Sequence, residues 1–215
     1  MREPFEIIAS LGLPKVTGIL QVGANSGQEV DFFASHGVAY AALIEPLDAP
    51  FATLSARCAK YPGYLPIQLL CGSSDGAKVD FHVASNNGES SSMFKPAKHL
   101  NDYPWVSFPE TVQLSTFTLD RVLMAVANQR PEIAEAIDLL YMDVQGGELE
   151  VLKGGNNVLH KVRYIYTEVG LGGGYDGAVE LTDLLLFLRL YGFKLYELEM
   201  NAAGWGNAFL VKSGN

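Results

Sequence analysis

The chain has 215 residues, 48% of them hydrophobic and 18% charged, with a formal net charge of -9, so it has enough apolar material for one sizeable core. The acidic balance, with no run of basic residues anywhere, argues against a nucleic-acid surface, because neutralising phosphates takes clustered Lys and Arg. The most apolar segment, LTDLLLFLRLYGF, is broken by Asp183 and Arg189 and falls short of the roughly 18 residues a membrane span takes, so a helix packed on a core is expected there.

One domain over residues 1–215 is expected. The opening MREPFEIIASLG has acids inside its apolar stretch and no small-residue cleavage pattern, which argues against a signal peptide. Cys58 and Cys71 lie in apolar contexts without metal-ligand spacing and read as reduced core residues. A cytoplasmic setting follows from these two readings.

Apolar runs of strand length alternate with helical periodicity, the pattern of a mostly parallel sheet covered on both faces. GILQV is the first expected strand, followed by a helix over residues 26–36 with Val30, Phe33 and Ala34 on one face. YAALI is the second, ending at Glu45, and a helix with Phe51, Leu54 and Cys58 inward leads to a third strand near LPIQLLC. In KVDFHVAS, Val79, Phe81 and Val83 alternate with Asp80, His82 and Ala84, which predicts a strand with one buried face.

Residues 85–110 read as irregular, and a loop of that length is more often functional or disordered than merely connective. Order resumes at TVQLST, and Thr118 is placed to cap a helix bearing Leu119, Val122, Leu123 and Val126. IDLLYMDV is nearly all apolar and reads as a central buried strand, with a short helix, GELEVLKGG, after it. Another strand, VRYIYTEV, then a glycine-rich turn, a helix over residues 178–191 and a terminal hairpin complete the chain.

Strand ends carry the residues with chemical potential. Gly23-Ala24-Asn25-Ser26-Gly27 follows the first strand, yet a dinucleotide G-x-G-x-x-G counted from Gly23 would need glycine where Asn25 and Gln28 stand. A phosphate loop is absent too, which leaves either a tight turn holding a cofactor without a pyrophosphate or a plain helix entry. Glu45 ends the second strand, where a carboxylate can accept hydrogen bonds from both hydroxyls of a ribose. Asp143 closes the most apolar strand, a costly place for an acid unless it is paired or used. Glu168 repeats that position on the next strand, and one of the two is expected to act as a general base. Glu148 reads as a stabilising acid in the first turn of its helix.

Gly23-Ala24-Asn25-Ser26-Gly27-Gln28, Glu45-Pro46, Ser90-Ser91-Ser92-Met93, STFTLDRVL, DLLYMDVQGGELEVLKGG, YTEVG and NAFLVK occur in an order that resembles the FkbM-type S-adenosylmethionine-dependent methyltransferases. The resemblance implies an α/β class I methyltransferase fold, a Rossmann-like sheet of seven mostly parallel strands with the last strand antiparallel and helices on both faces. It further implies S-adenosylmethionine as cofactor, with Gly23, Ala24, Asn25, Gly27 and Gln28 beside its methionine part and Glu45-Pro46 at its ribose. Ser74 and Asp75 would lie near adenine, with Asp143 and Gln145 also lining the site. The family often has Glu where this chain has Gln145, which leaves a hydrogen-bonding role there.

The reaction expected is O-methylation of a hydroxyl on a sugar, glycan or polyketide-like small molecule, with Asp143 or Glu168 taking the proton and no metal required. A scaffold that keeps the fold without the reaction is the alternative. His36, His82, His99 and His160 have no mutual ligand spacing. His99 lies among Tyr103, Trp105 and Phe108, which form either a lid over the acceptor or a satellite packing cluster.

Overall fold

The structure is a computed structural model that describes residues 2–213; the ends of the expected 1–215 unit, Met1, Gly214 and Asn215, lie outside the described residues. Helix α1, Pro4–Ser10, opens on a proline whose missing N–H has no helical partner to lose. Strand β1, Gly18–Val22, is buried at every position. Helix α2 spans Val30–Ser35 and so starts later than expected, because left-handed Asn25 (φ 44°) and Gly27 (φ 76°) keep residues 25–29 in turns. Strand β2 is Tyr40–Ile44, and helix α3, Asp48–Cys58, turns Leu54 and Cys58 inward.

The run expected as a single third strand divides in two. Tyr64–Ile67 (β3) is an edge of the main sheet, where Pro66 is tolerated for want of a neighbour on one side. Leu70–Cys71 (β4) leaves it and joins Lys78–Val83 (β5) and Glu110–Phe117 (β6) in a small three-stranded sheet. Between β5 and β6 the irregular segment holds one turn of helix, α4, His99–Asp102.

Thr118 caps α5, Leu119–Gln129, its Oγ1 accepting from the Arg121 N–H at 3.2 Å. Then follow α6 (Pro131–Ala136), β7 (Ile137–Met142), α7 (Glu148–Lys153), α8 (Asn156–Lys161) and β8 (Tyr164–Gly170). Helix α9, Leu181–Leu190, is shorter than the expected 178–191. Phe193–Met200 (β9) and Trp205–Lys212 (β10) form the expected hairpin.

The main sheet has the order β3-β2-β1-β7-β8-β10-β9. Strand β10 runs antiparallel to both of its neighbours, β8 and β9, and the other pairings of this sheet are parallel. Strand alternation sends Leu20, Val22, Leu140 and Ile165 to one face, against α5, α6, α7, α8 and α9. Ile19, Leu43, Leu139 and Tyr166 face α1, α2 and α3 on the other side. With β7 fourth of seven, the carboxyl ends of β1, β2, β7 and β8 meet above the middle of the sheet, the usual ligand position in open α/β folds.

Candidate active site

The turn after β1 is shaped by contacts only glycine permits: at Gly23 (φ 81°) a Cβ would come within 1.8 Å of the Asp143 carbonyl oxygen. Its N–H and that of Ala24 both donate to the Ile44 carbonyl, at 3.0 and 2.9 Å, which locks the turn against the end of β2. Glu45, only 5% exposed, receives the Asn25 N–H on Oε2 at 3.0 Å and the Leu47 N–H on Oε1 at 2.8 Å. Burial outweighs these two bonds and pushes its carboxyl up to about 7.

Across β1, the turn after β7 brings two acids under one amide. Gln145 is itself left-handed (φ 53°), and its Nε2 donates to Asp143 Oδ1 and to Glu168 Oε2, each at 2.7 Å. The Gln145 Oε1 accepts from the Tyr175 hydroxyl at 2.9 Å, and that hydroxyl also lies 2.8 Å from the Ser90 carbonyl oxygen. Burial, then the Asp143 charge, raises Glu168 well above the ordinary carboxylate range.

Glu148 is more than a helix-entry acid. It is 5% exposed, its Oε1 accepts from the Val144 and Gly146 N–H groups at 3.2 Å each, and burial pushes it up to about 7.

Two hollows adjoin these groups. The larger, of about 510 Å³, has Asp143, Gln145, Glu148 and Glu168 in its wall together with His99, Tyr103, Trp105, Tyr175 and Trp205. The smaller, of about 50 Å³, is lined by Gly23, Asn25, Glu45, Pro46, Leu69, Leu70 and Cys71, among others. Both share Glu89, Asp143 and Gln145, so they meet beside the bridged pair of acids.

Of the residues expected from sequence, Gly23, Asn25, Glu45, Pro46, Asp143 and Gln145 thus line the smaller hollow, and Gln28 lines the larger. Ala24 and Gly27 build the turn without lining either. Ser74 and Asp75 line neither hollow, and both are engaged with the end of β6 and the start of α5. The Ser74 carbonyl accepts from Thr116 Oγ1 at 2.7 Å, and Asp75 Oδ1 accepts from the Thr118 N–H at 2.9 Å. The apolar Leu69 and Leu70 line the smaller hollow. His82 lines neither hollow; its ring contacts Thr111 Oγ1 at 3.0 Å on the exposed side of β5. Sequence reading missed Tyr175 and Trp205. The one signal for each was a bulky aromatic beside glycines, in GLGGGYDG and in AAGWG.

Residues 21–195 match the Methyltransferase FkbM domain. The chain belongs to the FkbM methyltransferase family. This methyltransferase is 33% identical over 177 residues to the 2-O-methyltransferase NoeI of Sinorhizobium fredii (strain NBRC 101917 / NGR234), an alignment covering 78% of this chain and 69% of NoeI. In fold it is similar to M. capricolum TrmK, solved with S-adenosyl-homocysteine, at TM-score 0.53 and 11% identity, covering 99% of this chain and 69% of that one. A protein of the NADB-Rossmann superfamily from Streptococcus agalactiae gives TM-score 0.52 at 12% identity, covering 99% and 68%.

The methyl donor of the family is S-adenosylmethionine, and the smaller hollow suits it in donor set: a buried carboxylate, a left-handed turn and apolar walls. In volume it is too narrow for an adenosyl group. Gly88, Glu89, Ser91 and Met93 form one of its walls.

Proposed function

We propose that this methyltransferase transfers a methyl group to a hydroxyl of a sugar-like acceptor. The carrying observation is the junction of the two hollows at Asp143 and Gln145, one narrow and apolar, the other large with aromatic and polar walls. The name of NoeI, a 2-O-methyltransferase, supports oxygen as the methylated atom.

Gly23, Asn25, Glu45 and Pro46 would hold the donor, with Glu45 accepting from ribose hydroxyls through the oxygen lone pairs its two backbone bonds leave open. When bound, S-adenosylmethionine supplies an electrophilic methyl group on a sulfonium that already carries the activation. The chain's own task is alignment and proton removal. Gln145 holds Asp143 and Glu168 side by side, and the acceptor hydroxyl is placed against them. Glu168, with a proton affinity raised by burial and by Asp143, takes the hydroxyl proton.

Calorimetry with S-adenosyl-homocysteine tests the first half. Wild type is expected to bind, and Glu45→Ala to lose affinity by about tenfold or more, as loss of a hydrogen-bonded charged group does. Glu168→Gln is expected to keep binding and lose turnover on whichever hydroxyl compound the wild type methylates. Retained binding in Glu45→Ala, or full turnover in Glu168→Gln, refutes the role of that residue.

A further inference from the structure

Five carboxylates line the larger hollow: Glu89, Asp102, Asp143, Glu148 and Glu168. Lys98 also lines it, but its Nζ lies 2.5 Å from Asp102 Oδ2 and 3.3 Å from the Ala203 carbonyl, so its charge is already matched. Asp102 is paired with Lys98, and burial favours the protonated forms of Glu148 and Glu168, which leaves Glu89 and Asp143 as the carboxylates a phosphate would meet, with no unpaired lysine or arginine lining the hollow to offset them; such repulsion disfavours anionic partners. The neutral groups beside them, Gln28, Asn86 and Ser90, suit hydroxyls instead.

One wall presents aromatic surface that nothing in the fold covers. Trp105 is 74% exposed, yet it is braced edge-on by Tyr103 with ring centroids 5.5 Å apart and planes at 89°. Tyr103 is held in turn by the indole N–H of Trp205, which donates to its hydroxyl. An exposed tryptophan fixed by a second aromatic and opening on a polar cavity is a platform for a ring with an apolar face and a hydroxylated rim. The hollow thus offers two environments: the carboxylate pair at the donor junction and the aromatic shelf.

We infer that the acceptor is an uncharged oligosaccharide, with one sugar unit at Asp143 and Glu168 and a neighbouring unit stacked on Trp105. This rests on the sugar-like acceptor proposed above and narrows it in charge and in length. It also orders the chemistry. Sugars activated as nucleoside diphosphates are disfavoured by charge, so a glycosyl-transfer step that releases the nucleotide is expected to precede methylation.

The test offers wild-type protein and methyl-labelled S-adenosylmethionine an array of neutral di- to hexasaccharides, the matching methyl monosaccharides, the corresponding nucleoside diphosphate sugars, and RNA. Label is expected in neutral oligosaccharides and not in the phosphorylated compounds. On the best oligosaccharide, Trp105→Ala is expected to raise KM about tenfold with kcat within about twofold, the signature of lost uniform binding. On the matching monosaccharide it should change nothing, and Trp105→Phe should restore most of the affinity. Because Trp105 is on the surface, the variant's fold can be checked by circular dichroism. Preferential labelling of nucleoside diphosphate sugars or RNA, or an unchanged KM in Trp105→Ala, overturns the inference. Label confined to a non-carbohydrate hydroxyl overturns the sugar reading itself, a distinct result.

Discussion

Gln145 is the residue on which the candidate chemistry turns. One amide group donates to two carboxylates, and a third partner, Tyr175, fixes the amide's orientation by donating to its oxygen. Without the amide, Asp143 and Glu168 would repel each other directly, raising the proton affinity of Glu168 further. Gln145→Leu is therefore expected to lower kcat by about ten- to hundredfold and to move the rising limb of the pH–rate profile to higher pH; an unshifted limb would show that the bridge is structural only. Asp138 shows the contrast at the far end of the same strand. It is buried too, but it is consumed by Thr17 N–H and Oγ1 bonds of 3.2 and 2.9 Å and by the Arg163 guanidinium, and it lines neither hollow.

At the scale of elements, the segment between β5 and β6 proved neither disordered nor a plain connector. His82 and Ser92 exchange backbone hydrogen bonds of 2.8 and 3.1 Å, and the Ala97 and Lys98 N–H groups donate to Gly174 and Gly173. Between these anchors the strap crosses the turn after β1, where Asn25 Nδ2 donates to the Asn87 carbonyl at 3.0 Å. Further on, Ser92 Oγ donates to the Gln145 carbonyl at 2.7 Å. These few polar contacts close a hollow of about 50 Å³ and can break locally without unfolding the sheet. Saturating S-adenosyl-homocysteine is expected to slow amide hydrogen exchange in residues 86–93, with little change at β7, because a filled hollow pins the strap from beneath. Unchanged exchange across those residues would mean that the donor enters elsewhere.

The whole molecule carries a stability cost for this site. Glu45 and Glu148 each have folded pKa values raised from 4.5 to about 7, and Glu168 is raised as well. A raised carboxyl holds its proton in the folded chain while the unfolded chain has lost it, so the native state binds more protons between the two values. Stability then falls as pH rises from about 4.5 to about 7, by on the order of 2–3 kcal/mol for each of Glu45 and Glu148. Melting temperature is expected to drop across that window in the ligand-free protein, and Glu148→Gln to flatten the drop. A melting temperature that climbs through the window instead would disprove these shifts. With Glu45 in its proposed role, donor affinity is expected to rise with pH through about 7, because ribose hydroxyls donate to the ionised carboxylate; calorimetry across that range checks it.

Much of this protein could be read from residues in order. The buried runs that became β1 and β7, the cap at Thr118, the terminal hairpin and the acids at strand ends all follow from local periodicity and turn chemistry, which act over a few residues. Folding decided the rest. That Leu69 and Leu70 line the smaller hollow depends on the chain leaving the main sheet after β3. Tyr175 reaches Gln145 across 30 residues, and Trp205 reaches Tyr103 across 102. Local alternation records which side of a strand is buried, whereas the lining of a cavity depends on which distant loops meet, and no short-range pattern carries that.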